Sequence, residues 1–327
     1  MFDIIGIDNG NGNIKTRNVT FPCAFKVQDI KPSVIFTKDI LEYNGKFYSL
    51  TQNRFSYQTD KTTNDNAFIL SLFAIAKEII ARHSLGKADY DFKKDFSGYI
   101  GKDVVLAVGL PPAHIEKQSN TFKDYFLKRA EHGISFKYND KPFNFYIRDV
   151  KVYPQDYAGA IIFRSELISE YSTCYCIDIG DGTIDMVGLV DGVPDKDSIV
   201  SREFGMSKLR SIIIDDAISN YGVTLSDKNV EDFLMGKKIA LAEDLKGPIL
   251  ECIDNASKAF TTEIINQLHS KVPDFRTYPT IFSGGGAIAL KKYLLNSKAF
   301  GVTDFIEQIN SNAVGYEKIA ELSLKTA

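Results

Sequence analysis

Apolar residues in this chain come in short runs that end on an acid and pass into glycines. Phe2 to Asp8, interrupted by Asp3, leads into Gly10 and Gly12, and Cys174 to Asp178 leads into Gly180 and Gly182. Short β-rich segments broken by residues that tolerate positive φ predict strand, tight turn, strand in both places. Val34 to Phe36 and Lys46 to Leu50 predict strands of a small subdomain around an Asn44-Gly45 turn. Asn66 to His83 has helical spacing and is apolar nearly all round, so a helix buried between layers is expected. Val104 to Leu110 is a valine-rich run stopped by Pro111-Pro112, the pattern of a buried strand. Ser119 to Glu131 carries Phe122, Tyr125, Phe126 and Ala130 at helical spacing, and Ile134 to Lys137 and Phe143 to Val152 return to the strand pattern.

In the second half the pattern predicts a helix over Asp156 to Tyr171, a strand over Asp185 to Val190, and a turn at Asp191-Gly192. Helices are expected at Ser207 to Tyr221, Asp227 to Met235 and Ile249 to Ser270, the last starting just after a Gly247-Pro248 break. Thr280 to Ser283 reads as a short strand entering Gly284-Gly285-Gly286 and a helix from Ala287 to Leu295, and a final helix covers about Ala313 to Leu322. Alternating strands and helices imply an α/β protein with sheets covered on both faces.

The two glycine-tipped segments are near-repeats. Residues 7 to 15 read Ile-Asp-Asn-Gly-Asn-Gly-Asn-Ile-Lys and residues 177 to 185 read Ile-Asp-Ile-Gly-Asp-Gly-Thr-Ile-Asp. The leading acids, Asp8 and Asp178, are 170 positions apart in a chain of 327 residues, which suggests two lobes, each opening with such a hairpin. No linker separates them, so the chain is expected to cross between the lobes more than once.

Charge narrows the function. Lys and Arg number 39 against 42 Asp and Glu, a net charge of −3, so the basic footprint of a direct nucleic-acid binder is missing. Nucleic acid, if involved, arrives through a partner. Cys23, Cys174, Cys176 and Cys252 form no CxxC pair and read as reduced thiols of a cytosolic protein, and the scattered histidines offer no zinc site. Acids at positions 3 and 8 argue against a signal peptide, and no run approaches the roughly 18 apolar residues of a membrane span. A cytoplasmic protein without a membrane partner is expected.

An Asp-x-Gly-x-Gly turn lets backbone N–H groups converge on one point without Cβ interference, which suits a phosphate chain. The leading Asp at the strand end can hold a water of a hydrated magnesium ion. Either hairpin alone reads equally as an ordinary structural turn; two copies are harder to dismiss. Phe282-Ser283-Gly284-Gly285-Gly286-Ala287 adds a strand-to-helix turn where backbone can approach a flat ligand and a helix N-terminus adds its positive end, although by itself it also reads as a tight connection. None of the three matches the P-loop or Rossmann patterns.

Taken together these segments resemble the actin, Hsp70 and sugar kinase superfold, an actin-like fold of two lobes around a nucleotide cleft. Asp8-Asn9-Gly10-Asn11-Gly12-Asn13-Ile14-Lys15 resembles its phosphate 1 motif, Asp178-Ile179-Gly180-Asp181-Gly182-Thr183 phosphate 2, and Ser283-Gly284-Gly285-Gly286 the adenosine motif. Tyr153-Pro154-Gln155-Asp156 with Tyr157 to Ala160 resembles connect 1, and Asn312-Ala313-Val314-Gly315-Tyr316 connect 2. All five stand in order along nearly the whole chain. Val104 to Pro112 and Val150 to Gln155 look most like the ParM-type bacterial actins that segregate plasmids. The resemblance implies a first lobe over 1–160 with a small subdomain at about 20–65, a second lobe over 161–311, and a C-terminal helix over 312–327 returning to the first.

It further implies that Asp8 and Asp178 organise Mg2+ through water, that Asn9 to Asn13 and Lys15 contact phosphates, and that Gly180 to Thr183, with Asp181 and Gly182, complete an opposing clasp. Gln155 stands where the best-studied ParM carries a glutamate; eukaryotic actin has glutamine there, and the residue would orient the attacking water rather than act as a strong base. Lys208, Lys237 and Lys238 read either as nucleotide contacts or as a solvated face, and Glu231-Asp232 as a solvated acidic turn. The function implied is a filament-forming ATPase, using ATP or GTP, that moves plasmid DNA through an adaptor bound at a plasmid centromere. The alternative is a small-molecule kinase or phosphatase of the same superfold; an Hsp70 chaperone would need a peptide-binding domain beyond connect 2.

Overall fold

The computed structural model describes residues 2–35 and 37–325. The chain divides into two compact units, residues 1–162 with 310–327, and residues 163–309.

The first unit begins with β1 (Asp3–Asn9), β2 (Asn13–Lys15), β3 (Thr20–Pro22), β4 (Phe25–Gln28), β5 (Ile40–Tyr43) and β6 (Lys46–Leu50). It continues with α1 (Asn66–Ser84), α2 (Phe92–Asp95), β7 (Tyr99–Leu110), α3 (Ile115–Arg129), β8 (Ile134–Tyr138), β9 (Lys141–Pro154) and α4 (Tyr157–Phe163). The strands form a nine-stranded sheet in the order β3-β2-β1-β7-β9-β8-β5-β6-β4, with β1, β7 and β9 parallel. α1 is buried along most of its length, as its all-round apolar pattern predicts, and Phe73 and Ile75 join Phe122, Phe126, Phe143 and Phe145 in the core.

The second unit holds α5 (Ser165–Glu170), β10 (Thr173–Ile179), β11 (Ile184–Val190), β12 (Val193–Arg202), α6 (Met206–Tyr221), α7 (Asp227–Leu234), α8 (Glu243–Leu268), β13 (Thr280–Ser283), α9 (Gly284–Ala289), α10 (Lys291–Asn296) and β14 (Thr303–Phe305). Its five-stranded sheet runs β12-β11-β10-β13-β14, with β10, β13 and β14 parallel. This reproduces the order and directions of β3-β2-β1-β7-β9: an antiparallel three-strand meander, then two parallel strands. The near-repeat in sequence is the first hairpin of a repeated sheet. α11 (Ser311–Lys325) belongs to the first unit, where Tyr316 and Ala320 pack on Ala107 and Ala158.

Turns follow local chemistry: Asn44-Gly45 and Asp191-Gly192 have positive φ at both residues, as tight hairpins require. Several expected elements differ. Val34 and Ile35 lie in an exposed turn instead of a strand, and Phe36 lies outside the described residues. The helix expected over Asp156 to Tyr171 breaks at Arg164, whose guanidinium donates to the Phe163 and Phe305 carbonyls and pairs with Asp304. The Gly247-Pro248 break does not start a helix; α8 runs through it from Glu243, because Pro248 gives up one bond while Ile249 and Ile253 are fully buried. The helix expected from Ala287 is two short ones meeting at Leu290, and β12 is a strand the pattern did not predict. Among the described residues no helix is long and apolar enough to cross a membrane.

Candidate functional site

Each unit carries its hairpin at the end of the strand that bears the leading acid. In the first, β1 and β2 pair Asp8 with Lys15 and Asn9 with Ile14, leaving Gly10, Asn11 and Gly12 as the turn. Positive φ is not what Gly10 and Gly180 provide, contrary to expectation. Room decides instead: a Cβ on Gly10 would stand 2.6 Å from the Asn13 carbonyl oxygen, and one on Gly180 would stand 3.2 Å from that of Thr183. The constraint is severe at the first turn and mild at the second.

Asp8 is 3% exposed and is the focus of the first hairpin. Lys15 Nζ lies 3.4 Å from its Oδ2, and Gln155 Nε2 donates to its Oδ1 at 3.3 Å. Gln155 arrives there because β9 runs parallel to β7 and β7 parallel to β1, so the C-terminal ends of all three strands share one end of the sheet. Asn9 is buried beside Asp8; its Oδ1 accepts from Ser71 Oγ at 3.3 Å, while its Nδ2 has no protein partner. Arg54 Nε donates to the Gly12 carbonyl at 2.8 Å and Lys61 Nζ to that of Asn9. These two cations come from the coil between β6 and α1, and no spacing marked them in the sequence.

In the second unit β10 and β11 pair Asp178 with Asp185, and Gly180 to Thr183 make the turn. Here the tip carbonyls are taken by the start of α6: Met206 N donates to Gly180 O at 3.0 Å, Ser207 N to Asp181 O at 2.9 Å, and Gly205 N to Gly182 O at 3.1 Å. The first amides of α6, which have no partner inside the helix, are thereby satisfied. Gly205 is required by this contact, since a Cβ would come within 2.3 Å of the Asp181 carbonyl oxygen. Thr183 Oγ1 donates to Asp185 Oδ2 at 2.8 Å, and Ser201 also donates to this buried carboxylate, so Asp185 braces the hairpin from within. The sequence placed it at the end of the repeat without a role. The Asp181 carboxylate sits 2.7 Å from Arg210 NH1, a contact sequence reading missed.

The glycine turn after β13 packs on the same hairpin. β13 lies parallel to β10 with Ser283 beside Asp178, and Ser283 Oγ donates to Asp178 Oδ2 at 3.1 Å. Gly284 has φ +87°, and a Cβ there would stand 2.5 Å from Asp178 Oδ1; at Gly286 it would stand 2.6 Å from the Ile179 carbonyl oxygen. Gly285 faces open space, so one glycine remains bare where a flat ligand can approach. α9 has only six residues, so close backbone approach, not the expected helix end, is the property of this turn.

Among the described residues no cluster of three or more His, Cys, Asp or Glu side chains could hold a metal. Asp8 in the first unit and Asp178 in the second are each a lone carboxylate of the kind that suits a hydrated magnesium ion, which keeps several waters and takes its remaining ligands from phosphates. The orphaned Asn9 amide fits an acceptor brought by a ligand. Lys208, Lys237 and Lys238 are exposed, and Lys237 pairs with Asp232 at 3.0 Å. Glu231 and Asp232 belong to α7, not to a turn, and Glu231 faces Arg210.

Residues 6–157 match the family model described as actin like proteins N terminal domain. No curated protein matches the sequence. Among solved structures, an archaeal actin homologue in complex with ADP aligns with 98% of this chain and all of its own, at 17% identity and a TM-score of 0.70. A 15-stranded ParM filament from Clostridium botulinum aligns over 98% of this chain and all of its own, at 19% identity and a TM-score of 0.72. The filament of AlfA from a B. subtilis plasmid covers 95% of this chain and 97% of its own, with 16% identity and a TM-score of 0.57.

Proposed function

We propose, from an actin-like fold that bears out the resemblance to the ParM-type bacterial actins, that this protein is a filament-forming ATPase, using ATP or GTP, that segregates plasmid DNA through a DNA-binding adaptor. The observation that carries the reading is the meeting of Asp8, Lys15 and Gln155 at one end of the first sheet. Both hairpins have carbonyls already engaged by other donors, which suits tips whose amides receive phosphate oxygens. Lys15, held beside Asp8, is within a side-chain swing of a phosphate at the tip. Asn9 Nδ2 offers a further donor, and Gly285 leaves room for the base.

Gln155 can hold a water by hydrogen bonds but cannot take its proton, so hydrolysis here rests on positioning and on charge stabilisation. The carboxylates of Asp8 and of Asp178, each at its own hairpin, would accept from waters of a magnesium ion. The ion would supply charge neutralisation on the phosphates.

Light scattering and phosphate release with ATP, GTP and no nucleotide test the reading, with Asp178→Ala as the control. Scattering should rise only with a triphosphate, and phosphate release should disappear in the variant while its melting temperature stays close to the parent's. A chain that remains small under all three conditions and passes phosphate to a small-molecule acceptor would establish the kinase alternative in its place.

A further inference from the structure

Arg210 lies one turn into α6 and is 5% exposed, a placement that demands partners for its charge. Three acids supply them. NH1 is 2.7 Å from Asp181 Oδ1 and 3.5 Å from Glu231 Oε1, and Nε is 3.5 Å from Asp227 Oδ2. Asp181 belongs to the hairpin tip, whereas Asp227 and Glu231 belong to α7. The backbone fixes this arrangement: the amides of Gly205, Met206 and Ser207 grip the tip carbonyls, so the residue a turn later comes back over Asp181.

The charge at that tip is a problem for the function proposed above. The clasp expected of this turn would rest on the backbone amides of Asp181 and Gly182 facing a polyanion, yet the Asp181 side chain adds a carboxylate that repels it. We propose that Arg210 is a positioning residue for phosphate binding: by pairing with Asp181 it cancels the carboxylate at the tip of the second hairpin and fastens that tip to α7. A planar guanidinium can serve the tip acid and the α7 acids at once; an ammonium, a point charge on a flexible stem, cannot hold the same fork. Stability alone gives no reason for the pair, since a buried ion pair is often no better than an apolar one of the same volume. The inference rests on the nucleotide reading and goes beyond its motifs.

The test is calorimetric binding of Mg-ATP, ADP and adenosine to the full chain, with melting curves, for the parent, Arg210→Met, Arg210→Lys, and Arg210→Met with Asp181→Asn. Removing the guanidinium should weaken ATP about tenfold, the scale of one uncompensated like charge near a protein surface, and adenosine hardly at all. Arg210→Lys should fall between. The double variant should recover most of the loss, because no carboxylate remains to repel the phosphates. Equal ATP affinity in Arg210→Met, equal weakening of ATP and adenosine, or a double variant no tighter than the single one would each overturn the proposal. Should Arg210→Met not melt cooperatively, Arg210→Lys alone and with Asp181→Asn carries the same comparison. A parent chain that binds no nucleotide removes both this inference and the function it rests on, whereas parent binding without these charge effects removes this inference alone.

Discussion

Gln155 donates to Asp8 from the end of β9, close enough to present its amide to a water and chemically unable to deprotonate it. Gln155→Ala should therefore slow phosphate release by more than about tenfold, as loss of a positioned attacking water would, while nucleotide-driven assembly survives. Filaments would form and persist; scattering that decays as fast as the parent's would show that Gln155 does not gate hydrolysis. A second residue-scale effect lies in the Glu78 carboxylate, fully buried and accepting from Thr16 Oγ1 at 2.6 Å, Asn18 N at 3.0 Å and Arg82 Nε at 2.6 Å. Burial pushes its pKa up, but the hydrogen bonds from Thr16 and Arg82 and the Arg82 charge outweigh this and hold it below the usual glutamate range. A lowered folded pKa means that the ionised group stabilises the fold above its unfolded pKa, and that this stability is lost as pH falls through the folded value. Glu78→Gln should cost about 3 kcal/mol at pH 7, with the gap to the parent narrowing below about pH 4 in denaturant melts. Glu317 has the opposite sign, since burial raises it and Arg82 and Arg17 offset only part of that, so Glu317→Gln should show no such narrowing.

Helix α11 illustrates what packing asks of a single element. It lies against β1, β7 and α4 with almost no side chain between backbones: a Cβ on Gly6 would stand 2.0 Å from the Ala313 carbonyl oxygen, and one on Gly315 would stand 2.3 Å from that of Ala158. Gly109 leaves room for the ring of Tyr316, which stacks on Tyr153 at 6.2 Å. Asn312 Oδ1 then accepts from the Asp156 amide at 3.0 Å, next to Gln155. The helix thus holds the strand end that presents Gln155, which gives the Asn312 to Tyr316 segment a physical reason. Gly6→Ala is expected to destabilise the protein by about 2 to 3 kcal/mol through overpacking against backbone that cannot yield. A melting temperature unchanged from the parent's would show that α11 shifts freely.

At the scale of the whole molecule, two units repeat one five-strand pattern, and cations nearly balance anions at a net charge of −3. Non-specific affinity for DNA comes from phosphate neutralisation and counterion release, and this composition has no surplus of cations to supply it. Many of its lysines and arginines pair with neighbouring acids, as Lys123 does with Asp149, Arg148 with Asp103 and Lys292 with Asp254. Preassembled filaments should therefore co-sediment only weakly with plain duplex DNA near physiological salt and gain specific binding with a separate adaptor. Tight binding without an adaptor, falling steeply across a salt series, would reveal a basic stripe on the polymer that holds its cargo directly.

What the sequence determined by itself is local. Asn44-Gly45 and Asp191-Gly192 turn because those residues accept positive φ, α1 is buried because it is apolar all round, and the two acid-glycine hairpins stand out because they repeat. Each is a property of a few adjacent residues, so neighbours in the chain suffice to express it. The break at Arg164 and the passage of α8 through Pro248 were not legible, since carbonyls and apolar partners far along the chain decide them. Lys15 reaches Asp8 across the hairpin itself, but only the tertiary structure brought Gln155 to Asp8, set Arg54 and Lys61 on the first hairpin, and closed Arg210 over Asp181. The first depends on the register of parallel strands, the second on the course of the coil between β6 and α1, and the third on one helix gripping a distant turn. Such pairings are chosen by packing over the whole unit, and no spacing within a short stretch of sequence encodes them.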